Sequence, residues 1–163
     1  MTVVFSESTQ LPLKVENVPG WNILAWRYVG PYAGKMAGFT EMLSRLPRDF
    51  VQRGWGPVIG VYQSDPAITP ARQQVYLAGC AVPEKIGVSG LQPVRILPQR
   101  CAIHRHVGPY EAIPEKFERL FKTELRSKKL WPAAAPPFEI YHDDPGEVAP
   151  NDLRTDLCVP LKA

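Results

Sequence analysis

An internal repeat is the feature of this sequence that most restricts its fold. The segment Tyr28–Tyr32 returns 78 residues later as His106–Tyr110, and Val61–Pro66 returns 79 residues later as Ile140–Pro145. A third pair, Cys80–Pro83 and Leu157–Pro160, is 77 residues apart. Two copies are too few for a solenoid, which needs about three repeats or more. We therefore expect two similar halves around a pseudo-twofold axis, and the seam between them is a candidate ligand site.

Length and composition fit one globular domain. The 163 residues are 45% hydrophobic and 21% charged, with a formal net charge of +3. No apolar run approaches the roughly 20 residues of a membrane-spanning helix. Met1–Glu7 lacks the basic start and apolar stretch of a signal peptide. These features predict a cytoplasmic protein without membrane association.

The charge, cysteine and histidine patterns argue against DNA and metal as ligands. Basic residues recur at helical spacing from Lys116 to Arg126, but interspersed glutamates make this pattern typical of a solvated helix face. The three cysteines lack metal-type spacing and are expected to be reduced. His104, His106 and His142 lack a supporting cysteine or a closed second shell that would make them a metal site. We expect no metal, no cofactor and no direct DNA binding.

The second copy predicts the element order β-α-β-β. Alternation indicates a strand from Cys101 to Val107, and Gly108-Pro109 then turns the chain. An apolar stripe predicts a helix from about Pro114 to Ser127. Two further strands, Phe138 to Tyr141 and Asp156 to Val159, are separated by turn residues.

The first copy predicts the same order with one irregularity. Its strands are expected at Trp21 to Val29, Val58 to Tyr62 and Val75 to Ala81. The apolar stripe of its helix runs from Met36 to Phe50, but Pro47 lies inside the stripe, where proline removes a backbone hydrogen bond. We therefore predict a bend or break near residues 45–47. The expected organisation is a single domain, with repeat one at about 13–84, a linker at about 85–92 and repeat two at about 93–163.

Positions where the copies differ are candidates for function, because the fold tolerates either residue there. Glu139 stands where copy one has Gly60, and Asp156 stands where copy one has Gly79. An unpaired buried charge costs several kcal/mol. Because Glu139 lies in an apolar run, its carboxylate must either reach solvent or lie in a polar-lined cavity.

The period of two places Tyr141 on the same strand face as Glu139. With the expected hairpin register, Asp156 and Cys158 point to that side as well. Further aromatic residues expected around these two carboxylates are Tyr110, Trp131, Trp26, Tyr28, Trp55 and Tyr62. The sequence thus predicts a ligand site with two carboxylates and an aromatic lining.

Purely structural roles are an alternative for each of these residues. Glu139 could lie on an exposed face or pair with Arg105 or Arg154. Asp156 could pair with Arg154 or Lys162, which are close in sequence. Trp55, Trp131, Tyr110 and Tyr141 could be ordinary core or turn residues.

The chain resembles the GyrI-like family of small-molecule-binding proteins over essentially its whole length, most specifically in the second half. The resemblance rests on Arg105–Tyr110, Ile113-Pro114, Phe117, Pro136–Tyr141, Asp144-Pro145 and Asp152–Leu161. It implies an α+β fold of two β-α-β-β repeats related by a pseudo-twofold. The antiparallel sheets of the repeats would lie side by side, with helices on one side and a ligand cleft on the other, between the halves. It also implies that Glu139 lies at the base of the cleft and that Asp156 is the matching acid of the last strand.

Three functions follow from the resemblance. Regulators of the family carry a DNA-binding segment before this domain; here the first repeat begins by about Leu13, so we expect a stand-alone module. The first function is binding of flat aromatic, often cationic, molecules, with Glu139 as the opposite charge. The second is hydrolysis of cyclopropane-containing antibiotics, with Glu139 as general base and Tyr141 or Tyr110 assisting. The third is modulation of DNA gyrase through the outer surface.

Overall fold

A computed structural model describes residues 13–163 of the chain. The targeting segment considered above, residues 1–7, lies outside this range. Eight strands are formed within it: β1 (Lys14–Val18), β2 (Trp21–Val29), β3 (Val58–Tyr62), β4 (Val75–Val82), β5 (Gln92–Ile96), β6 (Gln99–Val107), β7 (Phe138–Tyr141) and β8 (Arg154–Pro160). They form one sheet in the order β1-β6-β8-β7-β3-β4-β2-β5, and all neighbouring strands are antiparallel. The predicted α+β class with antiparallel strands is confirmed.

The sheet order is symmetric about its central pair, β3 and β7. Strands β6, β8 and β7 of the second half lie on one side of the centre, and β2, β4 and β3 of the first half lie on the other. Gly60 and Glu139, which occupy matching positions in the two copies, pair directly across this centre. A twofold axis through the β3–β7 pair would produce this strand order. That the two halves superpose stays a prediction.

Each half contains one strand more than the β-α-β-β order predicted. β1 precedes the first predicted strand of repeat one but pairs with β6 of repeat two, and β5 precedes the first predicted strand of repeat two but pairs with β2 of repeat one. Both are edge strands with mostly exposed side chains. A strand that buries so few residues lacks the apolar alternation by which strands are recognised in a sequence.

Two helical segments follow the opening strands of the repeats. Helix α1 (Met36–Arg45) ends two residues before Pro47, and Leu46 is already extended, as expected for a residue that precedes proline. This confirms the predicted break. In the second half, α2 (Ile113–Arg119) continues through a π-helical turn, Leu120–Glu124, into α3 (Leu125–Ser127). That segment runs unbroken to the predicted end. No helix within residues 13–163 is long and apolar enough to cross a membrane.

The two faces of the sheet bury different cores. The helix face, defined here as the face covered by α1, α2 and α3, carries Leu24, Tyr76, Ala78, Tyr141 and Leu157 among its buried residues. The opposite face carries a core of strand side chains, among them Ile23, Ile59, Leu77, Phe138 and Cys158. The expected cleft on the side opposite the helices is therefore wrong, because apolar packing occupies that side. The open groove and the buried polar groups lie on the helix face.

Candidate functional site

Glu139 is the centre of a buried polar cluster on the helix face of the sheet. It lies on β7 and has no exposed surface. Its Oε1 atom accepts hydrogen bonds from Lys35 Nζ (2.9 Å) and from the Tyr62 hydroxyl. Its Oε2 atom accepts from Lys35 Nζ (3.1 Å), from the Tyr76 hydroxyl (2.7 Å) and from the Tyr141 hydroxyl. Both carboxylate oxygens are therefore saturated with donors, since a carboxylate offers about four acceptor sites.

The three tyrosines reach this carboxylate because of the strand register. Tyr62 ends β3, Tyr141 ends β7, and Tyr76 pairs directly with Tyr62 from β4. Gly60 provides the space for the Tyr76 hydroxyl, since a Cβ atom at that position would lie 1.6 Å from the Tyr76 oxygen. A glycine inside a strand often marks such a close approach.

Burial keeps these tyrosines in their neutral, donating form. The pKa values of Tyr62, Tyr76 and Tyr141 are all raised well above 10, first by desolvation and then by the negative charge of Glu139. The hydroxyls consequently remain protonated at any physiological pH. They act as fixed dipoles that stabilise a negative charge at Glu139.

Lys35 supplies the positive charge of the cluster. It follows the 3₁₀ turn Tyr32–Gly34 and immediately precedes α1, and only 7% of its surface is exposed. Besides the ion pair with Glu139, its Nζ atom lies 4.8 Å from the ring centre of Tyr62 and 5.2 Å from that of Tyr76. These distances are within the range of cation–π attraction. Of the residues that the structure describes, Lys35 and Glu139 are the only buried lysine and carboxylic acid.

Further aromatic rings enclose the cluster from both halves of the molecule. Tyr32 packs edge-on against Tyr62, with ring centres 4.9 Å apart, and Phe117 of α2 packs against the same ring at 5.3 Å. Phe39 of α1 contacts both Tyr76 and Tyr141, at 5.7 and 5.2 Å. We call Lys35, Glu139 and the rings of Tyr62, Tyr76 and Tyr141 the cage. Its residues come from both sides of the β3–β7 seam.

A groove of about 500 Å³ lies beside the cage. Phe39 and Tyr141 form part of its wall, so these two rings separate the groove from Glu139. Its other lining residues are Met36, Leu43, Phe50, Val51, Trp55, Gly56, Pro57, Val58, Tyr110, His142, Asp143, Asp144 and Pro145. The chain has 19 lysines and arginines, yet none of them lines the groove, whereas two aspartates do. The groove is therefore mostly apolar with an acidic rim.

The structure brings together five of the residues predicted from the sequence. Glu139, Tyr141 and Tyr62 belong to the cage. Tyr110 packs against Tyr141, with ring centres 5.3 Å apart, and lines the groove. Trp55 is buried and also lines the groove.

Asp156 is separated from Glu139, and the expected register is wrong. In the β7–β8 pair, Glu139 is opposite Leu157, whereas Asp156 is opposite Ile140 and so points to the other face, as does Cys158. There Asp156 accepts hydrogen bonds from Arg105 Nε (2.7 Å) and lies 2.8 Å from His142 Nε2. Partial burial raises the pKa of Asp156, but the hydrogen bonds and charges of His142 and Arg105 together outweigh it and hold this pKa well below the usual range.

The same register revises the match between the repeats. Tyr62 pairs with Tyr76, and Tyr141 pairs with Thr155. If Tyr62 and Tyr141 are equivalent, Thr155 corresponds to Tyr76, and Gly79 corresponds to Cys158 rather than to Asp156. The sequence match of Pro83 with Pro160 is two residues out of register. A shift of two leaves every side chain on its face, so the apolar pattern could not reveal the error.

The structural partners first considered for Glu139 are also different. Arg105 binds Asp156, and Arg154 binds Asp143 with Nη2 and Oδ1 2.9 Å apart. Glu139 pairs with Lys35, a residue 104 positions away in the chain.

Three predicted aromatic residues lie outside both the cage and the groove. Trp26 packs against the guanidinium of Arg45, whose Cζ atom lies 4.7 Å from the centre of the Trp26 ring. The Tyr28 hydroxyl donates to the Pro31 carbonyl at 2.7 Å. Trp131 is 55% exposed, and its carbonyl accepts a hydrogen bond from the Lys162 amide.

Sequence reasoning missed Lys35, Tyr76, Phe39 and Phe117. A difference between the copies could have indicated Lys35. Lys35 follows the 3₁₀ turn that begins at Tyr32, and the matching turn that begins at Tyr110 is followed by Ile113, which is fully buried. Copy one thus has a lysine where copy two has a core isoleucine. This is the same kind of difference between the copies as Gly60 in copy one and Glu139 in copy two. No comparable difference indicated Tyr76, because the sequence match of the last strands of the two copies was two residues out of register and did not align Tyr76 with Thr155.

Comparison with known proteins identifies the family. The model of the GyrI-like small molecule binding domain matches residues 12–162. The chain therefore belongs to the GyrI-like family.

Solved structures with the same fold have very different sequences. A hydrolase from Listeria innocua is 14% identical, with a TM-score of 0.67 over 99% of this chain and 97% of the other. The C-terminal domain of EcmrR is 12% identical, with a TM-score of 0.71 over 93% and 97% of the two chains. SAV2435, solved with bound tetraphenylphosphonium, is 11% identical, with a TM-score of 0.64 over 94% and 95%. At such identities the likeness establishes the fold alone.

Proposed function

We propose that this protein binds aromatic organic cations, with the charge of the ligand in the cage and its aromatic body in the adjoining groove. The observation that carries the proposal is the cage itself, a buried carboxylate among tyrosine rings that already holds an ammonium group. A carboxylate together with aromatic faces is the arrangement that attracts organic cations in a desolvated site.

The groove supports the same class of ligand. Its aromatic and aliphatic lining suits an aromatic apolar body, and a volume of about 500 Å³ is within the range of small-molecule sites. Its charged rim consists of Asp144 and of Asp143, which is paired with Arg154, and no lysine or arginine lines the groove itself. The tetraphenylphosphonium bound to SAV2435, a protein of this fold, is a cation with a large aromatic surface.

Turnover by Glu139 as a general base is less compatible with the geometry. Lys35 and three tyrosines donate to its carboxylate, which has no exposed surface. A general base needs a free lone pair within hydrogen-bond reach of the proton it removes. We therefore expect a cyclopropane-containing antibiotic incubated with the protein to be recovered unchanged, as judged by mass spectrometry.

Calorimetric titration with a matched pair of ligands tests the proposal. Tetraphenylphosphonium serves as the cation, and triphenylphosphine oxide serves as a neutral aromatic compound of related shape. We expect the wild-type protein to prefer the cation. Glu139→Gln should weaken cation binding by roughly 1–3 kcal/mol and weaken binding of the neutral compound much less.

Glu16→Gln is the control, since it removes an exposed carboxylate charge on the edge strand β1, away from the groove. It should leave the preference for the cation unchanged. Equal losses for both ligands in Glu139→Gln would remove Glu139 from the site.

A further inference from the structure

The ammonium group of Lys35 occupies the position that the proposed function assigns to the charge of the ligand. It is paired with both oxygens of Glu139 and lies near two tyrosine rings. A free ligand cation would use the same carboxylate and the same rings. Both cannot be bound there at once, because the cage is closed and its acceptors are saturated.

We propose that Lys35 is a tethered competitor, which a ligand cation must displace from the cage into water. This inference rests on the proposed function. It adds a specificity rule: the site selects bulky, weakly hydrated organic cations and rejects primary ammonium compounds.

The location of Lys35 allows this exchange. It lies between a 3₁₀ turn and the first residue of α1, and its neighbours Gly34 and Met36 are exposed. Four flexible methylene groups separate its charge from the backbone. The side chain can therefore leave the cage without movement of the sheet. The isoleucine at the matching position of the second half indicates that the fold itself requires no charge there.

Charge balance couples the departure of Lys35 to the arrival of a ligand. Without a ligand, removing the ammonium would leave Glu139 buried and unpaired, which is strongly unfavourable. When a second cation enters, Glu139 stays paired throughout. The ammonium is thus retained in the empty protein and released in the complex.

Hydration determines which cations can complete the exchange. An alkylammonium ion is compact and strongly hydrated. The free energy needed to transfer it from water into the cage therefore equals the free energy gained when the Lys35 ammonium is released into water. A primary ammonium ligand also competes with a tethered group, whose effective concentration is on the order of millimolar or more. A phosphonium or quaternary ammonium shielded by aromatic rings loses less hydration and gains more contact with the tyrosines.

Lysine labelling of the wild-type protein tests the displacement directly. The protein is treated briefly with acetic anhydride, with and without saturating tetraphenylphosphonium, and the acetylated peptides are quantified by mass spectrometry. Lys35 should be protected in the free protein and become about tenfold more reactive in the complex. Lys122, whose side chain is 73% exposed, is the internal control and should react equally in both. Continued protection of Lys35 in the saturated complex would overturn the inference.

A variant provides the second arm. Lys35→Met removes the charge and keeps a side chain of similar length, so it should bind tetraphenylphosphonium about tenfold more tightly than the wild type. Lys35→Arg keeps a tethered cation and should show no such gain. An unchanged or weaker affinity of Lys35→Met would contradict the role of a competitor.

A third arm separates this inference from the proposed function. If the wild type fails to bind tetraphenylphosphonium, the proposed function loses its support, and n-butylammonium then decides the role of Lys35. This compound mimics the lysine side chain, so it should raise the melting temperature of Lys35→Met and leave that of the wild type unchanged. No stabilisation of the variant would overturn the inference.

Discussion

At the scale of single residues, Lys35 and Glu139 depend on each other for burial. Each is almost completely removed from water, and each has the other as its only opposite charge within 4 Å among the described residues. A buried ion pair contributes little compared with an apolar pair of equal volume, but the loss of one partner is expensive. The pair should therefore show strong coupling in stability measurements.

We predict that Glu139→Gln and Lys35→Met each lower the free energy of unfolding by about 3–5 kcal/mol. The double variant should regain most of that loss, because no unpaired charge then remains buried. Urea denaturation of the four proteins gives the coupling energy. Additive losses in the double variant would mean that the two charges do not interact as described.

Gly60 offers a second test at this scale. A methyl group at this position would collide with the hydroxyl of Tyr76, which donates to Glu139 and has no exposed surface. Gly60→Ala should therefore lower the free energy of unfolding by about 1–3 kcal/mol, and it should weaken cation binding because the Tyr76 hydroxyl is displaced.

Gly87→Ala is the control for this substitution, since a Cβ atom there would meet nothing within 4 Å. Thermal melts of both variants measure the change in stability, and calorimetric titration measures the change in cation binding. Wild-type stability in Gly60→Ala would show that the Tyr76 ring has room to move.

At the scale of elements, α1 carries both core and groove residues. Phe39 and Met42 are buried against the sheet, while Met36 and Leu43 remain 39% and 44% exposed and line the groove. The sequence stripe correctly predicted the helix and its end at Pro47. It could not separate core from groove residues, because both are apolar on one side of the helix.

The exposed position of Leu43 leads to an element-scale prediction. Leu43→Ala should change the free energy of unfolding by less than about 0.5 kcal/mol, as is usual for surface positions. It should weaken binding of tetraphenylphosphonium by up to about tenfold, because apolar contact with the ligand is lost. Leu97→Ala, at an exposed leucine outside the groove, should affect neither property. A ligand affinity unchanged by Leu43→Ala would place the aromatic body elsewhere.

At the scale of the whole molecule, the repeat predicted more of the structure than any single motif. The near-constant spacing indicated two halves, and the sheet order is symmetric about β3 and β7 with Gly60 opposite Glu139. The edge strands were missed because they bury few residues. The match of β8 with β4 was wrong by two residues, which the alternation could not reveal. The face of Asp156 was wrong because it depends on the pairing of β7 with β8, which places Asp156 opposite Ile140.

The cage was only partly predictable for a similar reason. Glu139 was conspicuous as a charge within an apolar strand, and Tyr62 and Tyr141 followed from the repeat. Lys35 meets Glu139 only because the sheet joins the two halves at their seam, and this long-range contact has no local signature. The sequence therefore indicated an anionic centre, whereas the structure contains an ion pair.

A crystal structure of the protein with bound tetraphenylphosphonium tests cation binding in the cage most directly. We predict that the phosphorus lies within about 6 Å of a cage tyrosine ring centre, near the Glu139 carboxylate, with the Lys35 ammonium moved into solvent. A complex in which the cation binds elsewhere while the Lys35–Glu139 pair stays intact would contradict the central claim.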